Sequence, residues 1–266
     1  MEHSKIKTFY QTAYNEEGRM ERQPLEFIRC KEIISRYLRG TMEIADIGGA
    51  AGAFAYWLAA QGHHVHLLDF TPLHIEQAKK KGKKLGTLAS CHCADARNLP
   101  FADDSLDMTL LMGPLYHLQN RSDRLQCLTE ALRALKPGGV LLCEAISRYA
   151  SLVDGFKHSD VKDPKFIEIL NRDLATGRHD PGDTSYFTTA FFHRPGELKA
   201  EVTEAGFEDI ELIAVEGFAN AMDSHAMLKS EKQRELLLEY IRRTERVPEL
   251  MGLSGHFFAA ARKEGG

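Results

Sequence analysis

The sequence predicts a doubly wound α/β fold, built on a mostly parallel, seven-stranded sheet with helical insertions. Three observations indicate it. Short apolar segments alternate with helical segments through the middle of the 266 residues. Glycine, proline and aspartate stand at the ends of these segments, where turns are expected. A hydrophobic content of 43% is ordinary for one globular domain with a large core.

The strand candidates are short runs rich in apolar residues. They cover residues 43–47, 64–68, 89–93, 107–112, a strand that begins at 140–143, then 210–215 and 256–261. Helical segments separate them at 54–61, after Thr71-Pro72, along the leucine stripe between 125 and 135, and at 195–205. Strand–helix alternation at this spacing favours parallel strands with helices on both faces.

The two ends of the chain and two internal segments depart from the alternation. We expect a single domain over 1–266, in which residues 1–40 form a helical cover and 41–147 hold the ligand-binding half of the sheet. Residues 148–192 and 218–254 are predicted helical insertions that form a lid, and 193–217 and 255–266 complete the sheet. Residues 1–24 and 148–192 are expected to be a mobile cover that a ligand orders.

Composition narrows the class of partner. A net charge of −4 and a pI near 6.3 disfavour nucleic acid, and the lysine run at 79–84 is typical of a solvated helix face. We found neither a membrane-length apolar run nor a signal-peptide pattern, so no membrane contact and a cytoplasmic location are expected. The five cysteines are interpreted as reduced and packed in the core, and the histidines at 63, 64 and 66 lack further ligands, so no metal is expected.

A glycine-rich turn follows the first predicted strand. Gly48 and Gly52 allow the backbone to turn sharply and to approach a ligand closely. Asp69 ends the second strand about 20 residues later, where a carboxylate can accept the ribose hydroxyls of an adenine nucleoside. The alternative for Asp69 is a residue that only begins a helix. The glycine spacing does not match the G-x-G-x-x-G of dinucleotide-binding folds.

The ordered set of motifs resembles class I S-adenosylmethionine-dependent methyltransferases, which have a Rossmann-like fold. The motifs are residues 46–52, Asp69, 94–101, 107–118 and 135–139. The similarity covers about residues 20–215 and is strongest over 44–147. Ala50 departs from the family pattern, which usually has glycine there, and its methyl group narrows the turn.

This resemblance implies S-adenosylmethionine as cofactor, S-adenosylhomocysteine as product, and a role for each matching residue. Binding of the cofactor is assigned as follows: Gly48, Gly49 and Gly52 line the methionine moiety, Asp69 holds the ribose, Phe70 lies beside the adenine, Asp95 accepts from the adenine amino group, Ala96 gives backbone contacts, and Met112 and Gly113 border the sulfonium. For Asp95, a plain turn acid is the alternative.

The N-terminal segment is similar to that of bacterial small-molecule methyltransferases, in Tyr10, Tyr14, Glu17, Arg22, Pro24 and Glu26. By this similarity, Arg22 pairs with the cofactor carboxylate and Tyr14 closes over the methionine chain. An arginine in a solvated helix start is the alternative for Arg22.

On the acceptor side, Tyr116 and His117 follow the tip of the fourth strand and are the candidate catalytic and substrate-binding residues. Histidine is the natural proton acceptor near neutral pH, so His117 is the candidate general base, with a packed loop histidine as the alternative. Arg148 and Tyr149, at the end of the fifth strand, are candidates to orient a polar or anionic acceptor.

The expected activity is transfer of a methyl group to an oxygen, nitrogen or sulfur atom of a small molecule by a monomer or homodimer. Because the methyl carbon of the cofactor is already electrophilic, alignment supplies much of the rate, and a dedicated base is not required. Two alternatives stay open: an RNA or protein methyltransferase on the same fold, and a cofactor-binding module without catalysis.

Overall fold

Nine strands occur in the computed structural model, which describes residues 23–182, 184 and 186–265. They are β1 (Glu43–Ile47), β2 (His64–Asp69), β3 (Ser90–Cys93), β4 (Leu106–Leu111), β5 (Leu135–Ile146), β6 (Arg178–His179), β7 (Ala190–Phe191), β8 (Glu208–Ala214) and β9 (His256–Arg262). Seven of them form one sheet in the order β3-β2-β1-β4-β5-β9-β8, and β6 and β7 form a separate antiparallel pair.

Helices flank this sheet. They are α1 (Pro24–Ser35), α2 (Ala53–Ala59), α3 (Pro72–Leu85), α4 (Pro114–His117), α5 (Arg121–Ala134), α6 (Ala150–His158), α7 (Pro164–Thr176), α8 (Pro195–Glu204), α9 (His225–Lys229), α10 (Glu231–Thr244) and α11 (Pro248–Met251), with 3₁₀ turns at Asp160–Lys162 and Gly217–Ala221. Proline stands in the first turn of α1, α3, α4, α7, α8 and α11, where its missing N–H costs no helical bond.

The seven-stranded, mostly parallel sheet is confirmed. Strands β1 to β5 run parallel, and β9 is inserted antiparallel between β5 and β8. One face packs against α1 and α2 through residues such as Ile33, Ile44 and Leu58, and the other against α5 and α8 through Leu128 and Leu198. The carboxyl ends of β1, β2, β3 and β4 therefore meet at one edge, where ligands bind in open α/β sheets.

Most element boundaries lie within one or two residues of the prediction, and two differences are larger. Strand β5 begins at Leu135, directly after α5, so the lysine–proline–glycine segment lies inside the strand rather than before it. Residues 148–192 contain α6, α7 and also the β6–β7 pair, in which Arg178 pairs with Phe191 and His179 with Ala190. The mobility predicted for this segment stays a prediction.

The thiols of Cys30, Cys127 and Cys143 are buried, as predicted, whereas Cys91 is half-buried and Cys93 is exposed. The prediction of a core position is wrong for Cys93 because β3 is the edge strand of the sheet. Within the described ranges, no helix combines the length and the apolar character needed to cross a bilayer.

Candidate active site

The turn after β1 is held by backbone hydrogen bonds to β2. The N–H groups of Gly48 and Gly49 both donate to the carbonyl of Leu68, at 2.7 and 3.3 Å. Gly48 has φ +75°, and a Cβ added there would lie 2.6 Å from the Pro114 ring. Ala50 also lies in the left-handed region at φ +48°, which costs an L-residue about 1–2 kcal/mol. The turn is therefore tight, and a glycine is required at 48.

Asp46 explains the second glycine of the turn. Its side chain is fully buried, and a Cβ at Gly49 would lie 2.3 Å from Oδ2 of Asp46. The carboxyl of Asp46 thus occupies the space directly beneath Gly49. Burial, followed by the charge of Asp69, raises the pKa of Asp46 to about 7.

Asp69 closes the turn from the side of β2. Its Oδ2 accepts from the N–H of Ala50 at 2.9 Å, and its Oδ1 accepts from the N–H of Thr71 at 2.7 Å. The Nδ1 of His74, in α3, lies 3.0 Å from the same Oδ1. A carboxylate offers about four acceptor positions, so a ligand hydroxyl can still be accommodated. Asp69 thus orders the glycine turn and also faces the cleft.

Asp95 follows β3 and is tied to a neighbouring arginine. The guanidinium of Arg97 donates to both carboxylate oxygens, through Nε at 3.0 Å to Oδ1 and through Nη2 at 2.7 Å to Oδ2. Arg97 is itself fixed by Asp123 at 3.1 Å. The fork holds the carboxylate of Asp95 in one orientation at the wall of the cleft.

Two aromatic residues after β4 form the opposite wall. Tyr116 is buried, and its hydroxyl lies 3.3 Å from the position of a Cβ on Gly113. The ring of His117 lies edge-on to Tyr116 at 4.7 Å and stacks on Phe187 at 6.1 Å. Phe187 has φ +56°, a conformation that a bulky side chain rarely adopts. Tyr116 and His117 are thus placed at the cleft, as the sequence predicts.

These features surround one cleft at the carboxyl edge of the sheet, with about 790 Å³ of empty space. This volume includes the open mouth of the cleft. The predicted residues that line it are Gly48, Asp69, Phe70, Asp95, Ala96, Met112, Gly113, Tyr116 and His117. Sequence reasoning did not assign seven further lining residues, although their proximity to the predicted turn and strand tips could have indicated them: Ile47, Ala50, Thr71, His74, Ala94, Pro114 and Leu118.

Other predicted site residues lie elsewhere or beyond the described chain. Gly49 and Gly52 are absent from the lining. Gly49 covers Asp46, and Gly52, at φ +80°, is the residue that precedes α2. Tyr14 and Arg22 lie outside the described residues. Tyr149 begins α6 and packs close to Gly252.

Arg148 does not line the cleft. It is 2% exposed, its Nε donates to the carbonyl of Phe192 at 2.7 Å, and its Nη2 donates to Glu197 at 2.7 Å. The guanidinium is used inside the protein to fix the segment before α8. In this position Arg148 does not reach an acceptor in the cleft, contrary to the expectation from the sequence.

A second group of ionisable residues lies near the start of β9. Ligand-type atoms of Glu26, Glu216 and His256 lie within 4.8 Å of one another, and His256 Nδ1 is 2.8 Å from Glu216 Oε1. Burial disfavours the charge on His256, but Glu26, Glu216 and Glu144 outweigh it and raise the pKa of His256 to about 10. The imidazolium is thus the cation that compensates these carboxylates.

Comparison with known proteins agrees with this geometry. Residues 45–143 match the family model described as a methyltransferase domain. The demethylmenaquinone methyltransferase of Staphylococcus haemolyticus is 32% identical over 156 residues, 58% of this chain and 62% of that protein. The ubiquinone/menaquinone biosynthesis C-methyltransferase of Rickettsia bellii is 31% identical over 179 residues, 63% of this chain and 68% of that protein. The chain belongs to the class I S-adenosylmethionine-dependent methyltransferases.

Solved structures show the same fold for this methyltransferase. An S-adenosylmethionine-dependent methyltransferase of Methanosarcina mazei superposes with a TM-score of 0.58 at 19% identity, covering 88% of this chain and 98% of the other. The S-adenosylmethionine-dependent methyltransferase of Mesorhizobium loti superposes with a TM-score of 0.59 at 18% identity and covers 90% of this chain and 99% of the other. The match spans less than two thirds of the Staphylococcus relative, so its substrate is not carried over with the family.

S-adenosylmethionine is the cofactor of this family, and the residues present in the cleft fit it. Asp69 retains an acceptor position for ribose, and Asp95 lies on the adjoining wall. Glycine is required at 48, where a Cβ would lie 2.6 Å from Pro114, and is favoured at 113, where φ is +146° and a Cβ would lie 3.3 Å from the hydroxyl of Tyr116. These two glycines come from the tips of β1 and β4, the sheet neighbours that meet at the cleft.

Proposed function

We propose that this methyltransferase transfers the methyl group of S-adenosylmethionine to an aromatic small molecule. One observation carries the proposal: the glycine turn and Asp69 share a single cleft with the aromatic wall of Tyr116 and His117. Outside the lining, Phe187 stacks on His117, with 6.1 Å between the ring centroids. Rings that lie against one another favour a planar, aromatic acceptor.

The acceptor class that this wall favours agrees with the names of the relatives. The Staphylococcus and Rickettsia proteins are named for demethylmenaquinone and for C-methylation in quinone biosynthesis. We therefore propose a reduced quinone, or a related hydroxylated ring, as the acceptor. The sequence alone predicts methylation of an oxygen, nitrogen or sulfur atom of a small molecule. This proposal restricts the molecule to an aromatic ring and includes methylation of a ring carbon.

The cofactor supplies an electrophilic methyl carbon. The protein must then hold the acceptor ring in line with that carbon, exclude water and receive one proton. Tyr116, which is 4% exposed, orients the ring from within the wall. His117 accepts the proton that the acceptor loses as its new bond to the methyl group forms and the bond from methyl to sulfur breaks.

Isotopically labelled S-adenosylmethionine and a set of acceptors test the proposal. The set contains a reduced naphthoquinone that lacks the ring methyl, a simple phenol, a thiol and an amine. We expect label in the naphthoquinol. His117→Gln should lower turnover about 10²–10⁴-fold with unchanged cofactor affinity, because the proton belongs to the acceptor. Label in the amine or thiol alone would contradict the proposed acceptor class. Full turnover by His117→Gln would show that His117 is not the general base.

The two alternative functions differ from this one in observable ways. An RNA or protein methyltransferase would transfer label to macromolecules and not to the acceptor set. A non-catalytic module would bind S-adenosylmethionine and label nothing. The family membership favours a catalyst over the second alternative, and the formal charge of −4 argues against RNA.

We also propose a cytoplasmic location and a monomeric or homodimeric state. The five cysteines are free thiols in the structure, which is typical of a reducing compartment. Fractionation of cells and light scattering of the purified protein measure the two properties directly.

A further inference from the structure

Asp46 is a buried acid that the proposed chemistry leaves unused. It lies on β1 with 0% exposure, and neither carboxyl oxygen accepts a hydrogen bond of normal geometry from a described residue. The carboxyl lies beneath Gly49, in the turn that forms one side of the cofactor cleft. A carboxylate buried without a partner is costly, so its charge must depend on what binds beside it.

The surroundings of Asp46 add no compensating cation. The charged group that faces it is the carboxylate of Asp69 on β2, which raises its pKa, and the backbone N–H of Ala55 in α2 acts in the opposite direction. On α3, the Nδ1 of His74 lies 3.0 Å from Oδ1 of Asp69, so this imidazole contacts Asp69 and not Asp46. Within the described part of the chain, no lysine, arginine or histidine pairs with Asp46.

S-adenosylmethionine would bring the missing positive charge. It carries a sulfonium and an ammonium group against a single carboxylate, so its net charge is +1. Ile47 and Gly48, which line the cleft, follow Asp46 directly in the chain, so a ligand in the cleft would contact the backbone next to the acid. A cation nearby favours the ionised form of a buried acid.

We infer that Asp46 carries a proton in the ligand-free protein and releases it to solvent when S-adenosylmethionine binds. The balance is simple: protein with a neutral carboxyl plus cofactor gives the complex with a carboxylate plus one proton. Cofactor affinity then increases with pH up to neutrality. The inference rests on the cofactor and not on the acceptor, so no acceptor is needed in the experiment.

Two expected magnitudes follow from a free-state pKa of about 7 and from a carboxylate that stays ionised in the complex over the pH range tested. About 0.9 protons should be released for each cofactor bound at pH 6.0. The apparent Kd should rise about fifteenfold between pH 7.0 and pH 5.5.

Calorimetry of S-adenosylmethionine binding in two buffers of different ionisation enthalpy measures the protons released. Asp46→Asn keeps the shape of the neutral acid, so its affinity should resemble that of the wild type at low pH and vary little with pH. His74→Gln is the matched control and should still release the proton. Release that survives in Asp46→Asn, or that disappears in His74→Gln alone, would overturn the inference.

A spectroscopic measurement covers the case in which Asp46→Asn does not fold. Infrared difference spectra of wild-type protein labelled with ¹³C-aspartate, recorded at pH 6.0, should show a protonated carboxyl band that disappears on adding S-adenosylmethionine. A band that is absent before addition, or that persists afterwards, contradicts the inference. Binding without proton release leaves the proposed methyl transfer intact, whereas absence of binding contradicts both.

Discussion

Replacement of His256 by glutamine tests the buried charge cluster at the start of β9. Glutamine can still hydrogen-bond to Glu216, whose Oε1 lies 2.8 Å from the imidazole Nδ1, but it carries no charge. The carboxylates of Glu26 and Glu144 then lose their compensating cation as well. Removing one partner of a buried ion pair commonly costs about 3–5 kcal/mol of unfolding free energy.

The pKa of His256 gives a second value for the unfolding free energy that the charged imidazole contributes. The folded-state pKa is about 10 and the ordinary value is 6.5, so protonation stabilises the fold fully below pH 6.5 and progressively less as pH rises through 10. The stabilisation is about 4 kcal/mol at pH 7 and only a small fraction of that at pH 10, where the wild-type imidazole is already losing its proton. His256→Gln should therefore be much less stable than the wild type at pH 7 and nearly equal to it at pH 10.

Urea unfolding at pH 7 and pH 10, followed by circular dichroism, measures this difference. His225→Gln provides the control, because the side chain of His225 is 59% exposed beside Asp223 and its replacement should change stability by less than about 0.5 kcal/mol. A His256→Gln protein that matches the wild type at pH 7, or that remains equally destabilised at pH 10, would refute the reasoning.

The remaining predictions concern the glycine turn. Ala50→Gly should leave unfolding free energy unchanged or raise it by about 0.5 kcal/mol, because relief at φ +48° exceeds the added entropy of the unfolded chain. Ala200→Gly, at an exposed position in the interior of α8, should lose about 1 kcal/mol in the same thermal unfolding experiment. Asp69→Asn should weaken S-adenosylmethionine binding by about 2 kcal/mol in calorimetry, because the amide cannot accept from both Ala50 and Thr71. Wild-type affinity in a folded variant would show that Asp69 is not needed for binding.

The cleft was predictable because parallel strands end at the same edge. Gly48, Asp69, Asp95 and Met112 are far apart in the sequence, but each follows or ends a predicted strand, and the strand order brings them together. Local pattern is sufficient for such residues, since each position depends on one strand boundary. The same reasoning failed for Arg148, which also ends a strand region but finds its partners at Phe192 and Glu197.

Residues whose role depends on distant partners could not be predicted. Glu26 and His256 are separated by 230 positions, and only the closing of β9 between β5 and β8 brings them together. Nothing in the local pattern around either residue indicates the other. The left-handed backbone of Phe187, whose ring stacks on His117, likewise falls on a residue type that gives no local signal for it.

The turn after β1 shows how one sequence pattern serves two purposes. The resemblance assigns Gly49 to the cofactor, yet the carboxyl of Asp46 fills the space that a side chain at 49 would need. A glycine there is required even without a ligand, because any Cβ would overlap a buried acid. The acid in turn accepts no hydrogen bond of normal geometry from a described residue, and this is tolerated when it is neutral. The spacing of three residues between Asp46 and Gly49 therefore determines the packing of the turn and also places the acid that we infer to respond to a cationic cofactor.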